Sequence, residues 1–287
     1  MAEKVQTIKE IRQRLTGLVA LHTSPREAGA IATVIIEEFT GMGGARQMAF
    51  GTETVDDSTA TMIFAAAERA VSGEPLQYIL GYTLFCGHRI EVAPGVLIPR
   101  PETEELTSII ISENRGFSGI ATDLCTGSGC MAISVSCEFP DAKVYATDLS
   151  DTALHFTAHN ADINNVSLNI FKADLLKAPV EMFPICNMIF SNPPYVLESE
   201  AVLMHKNVVE HEPHEALFVP DNDPLIFYRS IAVLAGHRLL KNGRLYLEIN
   251  ESLGKELTQL FTDKGFRDIK ILEDIKGKQR FLTAKKQ

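Results

Sequence analysis

Strand-like segments that alternate with helical patterns fill the chain from about residue 103 onward, and this alternation most constrains its fold. Seven short apolar segments have strand character: 120–123, 143–147, 168–172, 188–191, 244–249, 267–272 and 280–283. Strands joined through helices pair in parallel, because each helix crosses over the sheet. The sequence therefore predicts an α/β fold with an open, mostly parallel, Rossmann-like sheet and helices on both faces. Ligands of such a sheet bind beyond the C-terminal ends of its strands.

The N-terminal part of the chain has a different pattern. Ile8, Ile11 and Leu15 recur at helical spacing, Ser24 precedes a helix-starting proline, and Gly41 is a typical helix stop. Residues 76–98 then resemble a short β-hairpin with a turn at Pro94-Gly95. We predict three segments: a small helical N-terminal domain over 1–75, a linking β-hairpin over 76–98, and the sheet domain over 99–287.

Charge and cysteine content narrow the partners. The chain has 27 Lys and Arg against 37 Asp and Glu, a net charge of −10. Binding to duplex nucleic acid relies on basic side chains that neutralise phosphates, so this balance argues against a nucleic-acid substrate. The five cysteines form no C-x-x-C pair, which argues against a disulfide framework and a metal site. With neither a secretory pattern after Met1 nor a membrane-length apolar run, we expect a cytoplasmic protein.

A glycine-rich loop follows the first predicted strand of the sheet domain, which ends at Asp123. Gly127 and Gly129 permit a tight turn and let backbone amides approach a ligand. Together with Ala132 they also satisfy the dinucleotide pattern G-x-G-x-x-A, so a nicotinamide-dependent enzyme stays open as an alternative. Cys125, inside the loop, is interpreted as a small packing residue rather than a nucleophile.

Two acids follow the next two strands. Asp148 lies about twenty residues beyond the glycines, where a carboxylate accepts hydrogen bonds from ribose hydroxyls. Asp174 follows the third strand, where an acceptor meets an adenine amino group. The alternatives are a helix N-cap for Asp148 and a turn for Asp174.

The fourth strand runs into Asn192-Pro193-Pro194-Tyr195, which predicts the chemistry. Two prolines end the strand and remove two backbone donors, so the loop offers mainly acceptors: the Asn192 side-chain oxygen and the Pro193 carbonyl. Tyr195 adds a flat ring against which a planar group can lie. These groups suit a planar –NH2, either an amide or a nucleobase amine, held for methylation. The alternative is a strand-ending turn.

These motifs resemble the HemK/PrmC family of peptide chain release factor glutamine methyltransferases over nearly the whole chain. The segments that carry the resemblance are 73–81 (GEPLQYILG), 95–104 (GVLIPRPETE), 123–129 (DLCTGSG), 192–195 (NPPY) and 212–217 (EPHEAL). Residues 101–104 favour the release-factor branch over a sister enzyme that methylates a ribosomal-protein glutamine. Glu102 and Glu104 also suit the first turn of a helix.

The resemblance implies methyl transfer from S-adenosylmethionine, giving S-adenosylhomocysteine, to the glutamine N5 of the Gly-Gly-Gln motif in class I release factors. It implies that the helical N-terminal domain helps to dock them, and we expect a monomer. The implied cofactor-binding residues are Asp123, Cys125, Thr126, Gly127, Ser128, Gly129, Asp148, Asp174, Leu175 and Asn192. The implied catalytic residues are Asn192, Pro193 and Tyr195, and the substrate-binding residues are Asn192, Pro193, Pro194 and Tyr195. Some relatives carry Trp where Leu175 stands, so looser adenine packing is expected.

Overall fold

The computed structural model describes residues 6–287, which form two compact units. The N-terminal unit contains the described residues up to Gly81 and also Lys206–His211, and the second unit contains Tyr82–His205 and Glu212–Gln287. The division at Gly81 lies a few residues beyond the predicted end of the helical domain at 75, and the predicted boundaries stay a prediction. No helix within residues 6–287 combines the length and apolarity that crossing a bilayer requires.

The regular elements of residues 6–287 are as follows. The α-helices are α1 (Ile8–Val19), α2 (Pro25–Thr40), α3 (Gly44–Ala49), α4 (Asp57–Val71), α5 (Leu76–Leu80), α6 (Pro101–Glu113), α7 (Cys130–Glu138), α8 (Asp151–Ile163), α9 (Lys206–His211), α10 (Ile226–Arg238) and α11 (Gly254–Asp263). The strands are β1 (Gln6–Thr7), β2 (Thr54–Val55), β3 (Tyr82–Phe85), β4 (His88–Glu91), β5 (Ile120–Leu124), β6 (Lys143–Asp148), β7 (Asn169–Lys172), β8 (Cys186–Ser191), β9 (Val196–Leu197), β10 (Phe218–Val219), β11 (Leu239–Glu248), β12 (Phe266–Glu273) and β13 (Gln279–Lys286). Short 3-10 turns lie at Val180–Met182, Glu198–Leu203 and His214–Ala216.

Local signals place the helices of the N-terminal unit. The Ser24 hydroxyl accepts a hydrogen bond from the Glu27 amide at 3.2 Å, which satisfies one free donor at the start of α2. Gly41 ends the same helix with a left-handed φ of 67°. The apolar faces of α1, α2 and α4 meet in one core, where Ile11, Ile35 and Ile63 are fully buried.

The first residues of the segment 76–98, which we predicted as a hairpin, form a helix instead. Residues 76–80 form α5, and only β3 and β4 make the hairpin. The apolar and aromatic residues of α5 are strand-like in composition, but Ile79 packs into the core of the N-terminal unit. The guanidinium of Arg69 donates to the carbonyls of Tyr78 and Ile79 at 3.3 Å, and Gly81 ends the helix with φ 82°. Tertiary contacts to the end carbonyls thus stabilise a helix that composition alone does not indicate.

The second unit is built on a seven-stranded sheet in the order β12-β13-β11-β8-β5-β6-β7. The five strands from β11 to β7 pair in parallel, and β13 runs antiparallel to its two neighbours. Each of the seven predicted strand segments belongs to one of these strands, so the predicted mostly parallel sheet is confirmed.

Helices cover both faces of this sheet, as strand β11 illustrates. Leu245 and Leu247 belong to the apolar core that α10 and α11 complete. The alternate residues Tyr246 and Glu248 face the other way and hydrogen-bond to α6 and its C-terminal cap. The same strand therefore contributes to the core on one face and to a polar network on the other.

Candidate active site

The C-terminal ends of three neighbouring strands bring the predicted motifs together. In the sheet, Leu124 of β5 pairs with Ser191 of β8 on one side and with Thr147 of β6 on the other. The Ser191 hydroxyl donates to the Leu124 carbonyl at 2.6 Å and fixes the two strand ends to each other. Beyond them lies a cavity of about 510 Å³. Its lining includes these predicted site residues: Cys125, Gly127, Asp148, Asp174, Leu175, Asn192 and Pro194.

The glycine loop has a backbone that glycine favours. Cys125, Gly127 and Gly129 have positive φ values of 57°, 59° and 81°. A Cβ on Gly129 would lie 2.9 Å from the Thr157 side chain, so packing against α8 requires glycine there. A Cβ on Gly127 would meet no protein atom within 4 Å, and Gly127 lines the cavity. The first glycine therefore leaves room for a ligand, and the second lets the helix pack close.

Side chains from outside the loop fix its carbonyls. Thr157 donates to the Gly127 carbonyl at 3.0 Å, and Asn160 donates to the Ser128 carbonyl at 2.9 Å. Asn160 also exchanges two hydrogen bonds with the backbone of Glu91 in the hairpin, at 2.7 and 2.9 Å. This fully buried amide links the hairpin, α8 and the glycine loop, and its sequence context did not mark it.

Asp123 lies beneath the loop and is 1% exposed. Its Oδ2 accepts a hydrogen bond from the Thr126 hydroxyl at 2.7 Å, while Oδ1 makes no hydrogen bond of normal geometry with residues 6–287. The Ala132 backbone N–H lies near enough to the carboxyl to favour its ionised form. Asp123 and Asn192 both line a recess of about 30 Å³, which has room for a group the size of a water molecule or an ammonium. Burial raises the pKa of Asp123 to about 8. A cationic donor in the recess would satisfy Oδ1 and offset the cost of burying this carboxyl.

Asp148 is not the N-cap of the helix that follows, because Ser150 caps α8. Its carboxylate instead accepts from the Gly127 amide at 2.9 Å and from the Ser150 amide at 3.0 Å. Burial raises the pKa of this carboxyl, and the backbone amides that donate to it oppose the rise. A carboxylate has about four acceptor positions, so Asp148, which lines the cavity, keeps acceptor capacity beyond these two bonds.

Asp174 combines a turn with a place in the cavity wall. Its Oδ1 accepts from the Leu176 amide, and its Oδ2 pairs with the Lys177 ammonium, both at 2.9 Å. The Lys177 ion pair lowers the pKa of Asp174 and keeps it an acceptor. Leu175 lines the cavity beside it. Asp174 therefore forms the turn and lines the cavity at the same time.

The Asn192 side chain is held on its nitrogen. Nδ2 donates to the Thr103 hydroxyl at 3.1 Å, and that hydroxyl donates to Oε2 of the buried Glu248 at 2.7 Å. Asn192 Oδ1 accepts no hydrogen bond from residues 6–287, and it is not fully buried. The acceptor end of the amide is therefore accessible, and Asn192 lines both the cavity and the recess.

The other three residues of the N-P-P-Y segment differ from Asn192 in how they contact the cavity. Pro193 and Pro194 are buried, and of these two only Pro194 lines the cavity. The Tyr195 hydroxyl donates to Glu248 Oε1 at 2.7 Å, and its ring packs against the core of the sheet. The Tyr195 ring lines neither the cavity nor the recess, so its stacking against a substrate stays a prediction.

The segment at one edge of the site is fixed by Glu212. Its buried carboxylate accepts from the Ile98 amide at 3.1 Å and pairs with Arg100 at 2.5 Å. Arg100 lines the recess that contains Asp123.

Within residues 6–287 the cysteines are free thiols, and no group of three or more His, Cys, Asp or Glu is arranged around a metal position. Burial raises the pKa of Cys125 well above its usual value, which keeps it a thiol.

Comparisons with known proteins agree with this geometry. The family model of the PrmC N-terminal domain matches residues 8–81, and that of the Methyltransferase small domain matches residues 87–216. A release factor glutamine methyltransferase of Bacteroides thetaiotaomicron is 45% identical over 75% of this chain and 77% of its own length. A release factor glutamine methyltransferase of Lactococcus lactis is 38% identical over 81% of this chain and 85% of its own length. This chain belongs to the release factor glutamine methyltransferase family.

Solved structures support the fold of this methyltransferase. A methyltransferase from Pyrococcus furiosus has a TM-score of 0.51 and 18% identity, covering 80% of this chain and 98% of the other. The 16S rRNA N2 G1207 methyltransferase of Thermus thermophilus, in complex with AdoMet and guanosine, has a TM-score of 0.53 and 17% identity, covering 72% and 50%. At these identities the likeness concerns the fold alone. The predicted Rossmann-like sheet is confirmed and is that of a class I methyltransferase, and family membership excludes the nicotinamide-dependent alternative.

Sequence reasoning missed the residues that act behind the site. Thr103 lies in a motif already noted, but its partners Asn192 and Glu248 are 89 and 145 residues away. A usable signal existed for Glu248, because an acid directly after the apolar residues 245–247, at the end of a strand, lies where ligands of this fold bind. Glu212 opens the segment 212–217 that carries the family resemblance, although its role there did not follow from the sequence. For Asn160 no comparable signal is present.

Proposed function

We propose that this methyltransferase transfers a methyl group from S-adenosylmethionine to N5 of the glutamine in the Gly-Gly-Gln motif of class I peptide chain release factors. The observation that carries the proposal is the Asn192 amide, which lines the cavity, with its nitrogen bonded to Thr103 and its oxygen accepting no hydrogen bond from residues 6–287. Membership of the release factor glutamine methyltransferase family supports the choice of substrate.

The residues around the cavity fit the cofactor. Gly127 leaves space where a side chain would project, and the acceptor positions left on Asp148 suit ribose hydroxyls. Asp174, kept ionised by Lys177, suits the adenine amino group, with Leu175 beside the ring. The partnerless Asp123 Oδ1 in its small recess suits the ammonium of the methionine part. Bound S-adenosylmethionine supplies an electrophilic methyl group and leaves as S-adenosylhomocysteine.

The residues of the N-P-P-Y loop position the nucleophile. An amide nitrogen is a weak nucleophile because its lone pair is delocalised into the carbonyl. We propose that Asn192 Oδ1 and the Pro193 carbonyl accept its two N–H groups, which raises electron density on nitrogen and aims it at the methyl carbon. The nitrogen gains the methyl group and loses one proton to solvent. Positioning for an in-line displacement then supplies much of the rate enhancement.

The same acceptors select glutamine over glutamate. A glutamate side chain would bring carboxylate oxygens against two acceptor oxygens, which forms no hydrogen bond and adds repulsion. Unpaired buried polar groups cost about 1–3 kcal/mol each, or about tenfold or more in rate. The family resemblance further suggests that the helical N-terminal domain helps to dock the release factor, and we propose that the enzyme acts in the cytoplasm as a monomer.

The decisive experiment incubates the purified protein with methyl-labelled S-adenosylmethionine and a release factor, either wild type or with the motif Gln changed to Glu. We expect label in the wild-type factor alone, and mass spectrometry should locate it on the motif glutamine. Equal labelling of both factors, or of neither, contradicts the proposal. Parallel incubations with ribosomal protein and with ribosomal RNA test the two alternative substrates.

Two variants separate nucleophile positioning from cofactor binding. Asn192→Ala should lower kcat about hundredfold or more, as loss of a positioned catalytic hydrogen-bonding group does, while the cofactor Kd changes only modestly. Asp148→Ala should instead raise the cofactor Kd about tenfold or more, because an ionised acceptor is lost. Calorimetric titration and steady-state kinetics measure both. A steep fall in cofactor affinity for Asn192→Ala, or unchanged affinity for Asp148→Ala, contradicts the assigned roles.

A further inference from the structure

Glu248 has an unusual place for a carboxylate. It is 1% exposed at the end of β11, and it forms no ion pair with any of residues 6–287. Its two oxygens each accept one hydroxyl: Oε2 from Thr103 and Oε1 from Tyr195, both at 2.7 Å. A buried carboxylate is costly unless its hydrogen bonds are made. Here both hydroxyl partners belong to the polar network behind the N-P-P-Y loop.

This carboxylate fixes the direction of the hydrogen bonds around it. The Thr103 hydroxyl donates its single proton to Glu248 Oε2 at 2.7 Å, the direction that an ionised carboxylate requires because it only accepts. The lone pairs of Thr103 then face Asn192, and the group that approaches them at 3.1 Å has to be a donor. The Asn192 amide can therefore place only Nδ2 inward. Its Oδ1, on the other branch of the planar amide, is left for the cavity.

Burial raises the pKa of Glu248, whereas the two hydroxyls that donate to it favour the ionised form. The Tyr195 hydroxyl donates to the other carboxylate oxygen, Oε1, at 2.7 Å. Burial raises the pKa of this phenol well above its usual value. Both carboxylate oxygens are thereby occupied by donors.

We propose that Thr103 and Glu248 are positioning residues that set the orientation of the Asn192 amide, and through it the preference for an amide over a carboxylate substrate. This inference rests on the proposed function, since it takes a glutamine amide as the group that Asn192 holds. A flipped Asn192 would present its NH2 group to the substrate. Two –NH2 groups facing each other form no productive hydrogen bond, whereas a glutamate carboxylate would then be accepted.

Two substitutions of Thr103 test this. Thr103→Val has nearly the same shape but removes the hydroxyl, whereas Thr103→Ser keeps it. We expect Thr103→Val to lower kcat about tenfold to hundredfold, the usual effect of losing one essential hydrogen bond. The kcat of Thr103→Ser should stay within about threefold of the wild-type kcat. Thr103 lines the recess assigned to the cofactor ammonium, so the cofactor Kd of both variants is measured alongside, and Thr103→Val should change it much less than it changes kcat.

A binding measurement reports selectivity without turnover. With S-adenosylhomocysteine present, the wild-type enzyme should bind the release factor with its motif glutamine more tightly than the Gln→Glu factor. Thr103→Val should bring the two affinities close to each other, and Thr103→Ser should preserve the difference. The proposal is overturned if Thr103→Val and Thr103→Ser change kcat and the binding preference for the glutamine factor equally. It is also overturned if Thr103→Val keeps the wild-type kcat and the wild-type binding preference.

The orientation itself can be measured without any substrate. In a ¹⁵N-labelled protein, with Asn192 assigned through Asn192→Asp, the side-chain amide should show one slowly exchanging proton that becomes fast in Thr103→Val. If Thr103→Val fails to fold, the wild-type spectrum decides: freely exchanging Asn192 amide protons overturn the proposal. If the wild-type enzyme methylates no release factor, the proposed function fails, and this spectrum still tests the orientation.

Discussion

The Asn160 amide offers a sharp test of how the site is held together. It is fully buried on α8 and makes three hydrogen bonds to backbone: two with Glu91 of the hairpin and one with Ser128 of the glycine loop. Asn160→Leu preserves the approximate size of the side chain but removes all three bonds. The perturbation therefore leaves three backbone groups without partners while creating little cavity.

The magnitude follows from the surroundings of those groups. The Ser128 carbonyl lies in a buried residue, where an unpaired group costs about 1–3 kcal/mol. The two Glu91 groups belong to a partly exposed residue, so water offsets part of their loss, and each costs about 1 kcal/mol. The sum is about 4 kcal/mol, and at about 3 °C per kcal/mol for a unit of this size the melting temperature should fall by about 12 °C. Loosening of the loop carbonyl should also weaken cofactor binding.

Asn164→Leu is the matched control. Asn164 lies one turn further along the chain and donates at 2.8 Å to two carbonyls, that of Arg89 in the same hairpin and that of Asn160. Loss of both bonds should cost about 1 kcal/mol, since water replaces the exposed bond to Arg89 and the Asn160 carbonyl keeps the Asn164 backbone N–H at 3.2 Å. Calorimetric melting of both variants, with and without S-adenosylhomocysteine, measures the difference. If Asn160→Leu melts within about 3 °C of Asn164→Leu, the buried amide does not stabilise the site as argued.

Two further predictions concern the cofactor pocket. Because Asp123 has a pKa of about 8 and its neutral form cannot pair with an ammonium, affinity for S-adenosylhomocysteine should fall as pH drops below about 8, by up to about tenfold per pH unit. Calorimetry between pH 6 and 8.5 measures this, and Asp123→Asn should abolish the dependence; an identical slope in both proteins contradicts it. Gly127→Ala should fold but bind cofactor poorly, since its Cβ enters the cavity, whereas Gly129→Ala should lose stability, since its Cβ meets Thr157 at 2.9 Å. Thermal melts and cofactor titrations separate the two, and a reversed order of effects refutes the assignment.

The sequence by itself determined the elements and the class of chemistry. Each predicted sheet segment from Ile120 to Thr283 lies within or overlaps a strand of the seven-stranded sheet, because apolar periodicity and turn residues act over a few neighbouring positions. Helix ends at Ser24 and Gly41 followed for the same reason. The rule that ligands bind at the C-terminal ends of parallel strands then indicated which loops to inspect.

The short helix α5 shows where local signals fail. Its residues Tyr78 and Ile79 have strand-like side chains, and its carbonyls are capped by Arg69 from the preceding helix. That guanidinium is also held by Glu74 through two hydrogen bonds. A helix of five residues has little stability of its own, so packing and capping from other elements decide it.

Only the tertiary structure decided how the site is held and which way its groups point. Thr103, Asn192 and Glu248 come from three elements that the strand order brings together, and nothing in their spacing along the chain predicts it. The sequence placed an asparagine where a substrate nitrogen binds. The buried carboxylate behind it supplies the direction, because hydrogen-bond polarity is set by neighbours in space rather than by neighbours in the chain.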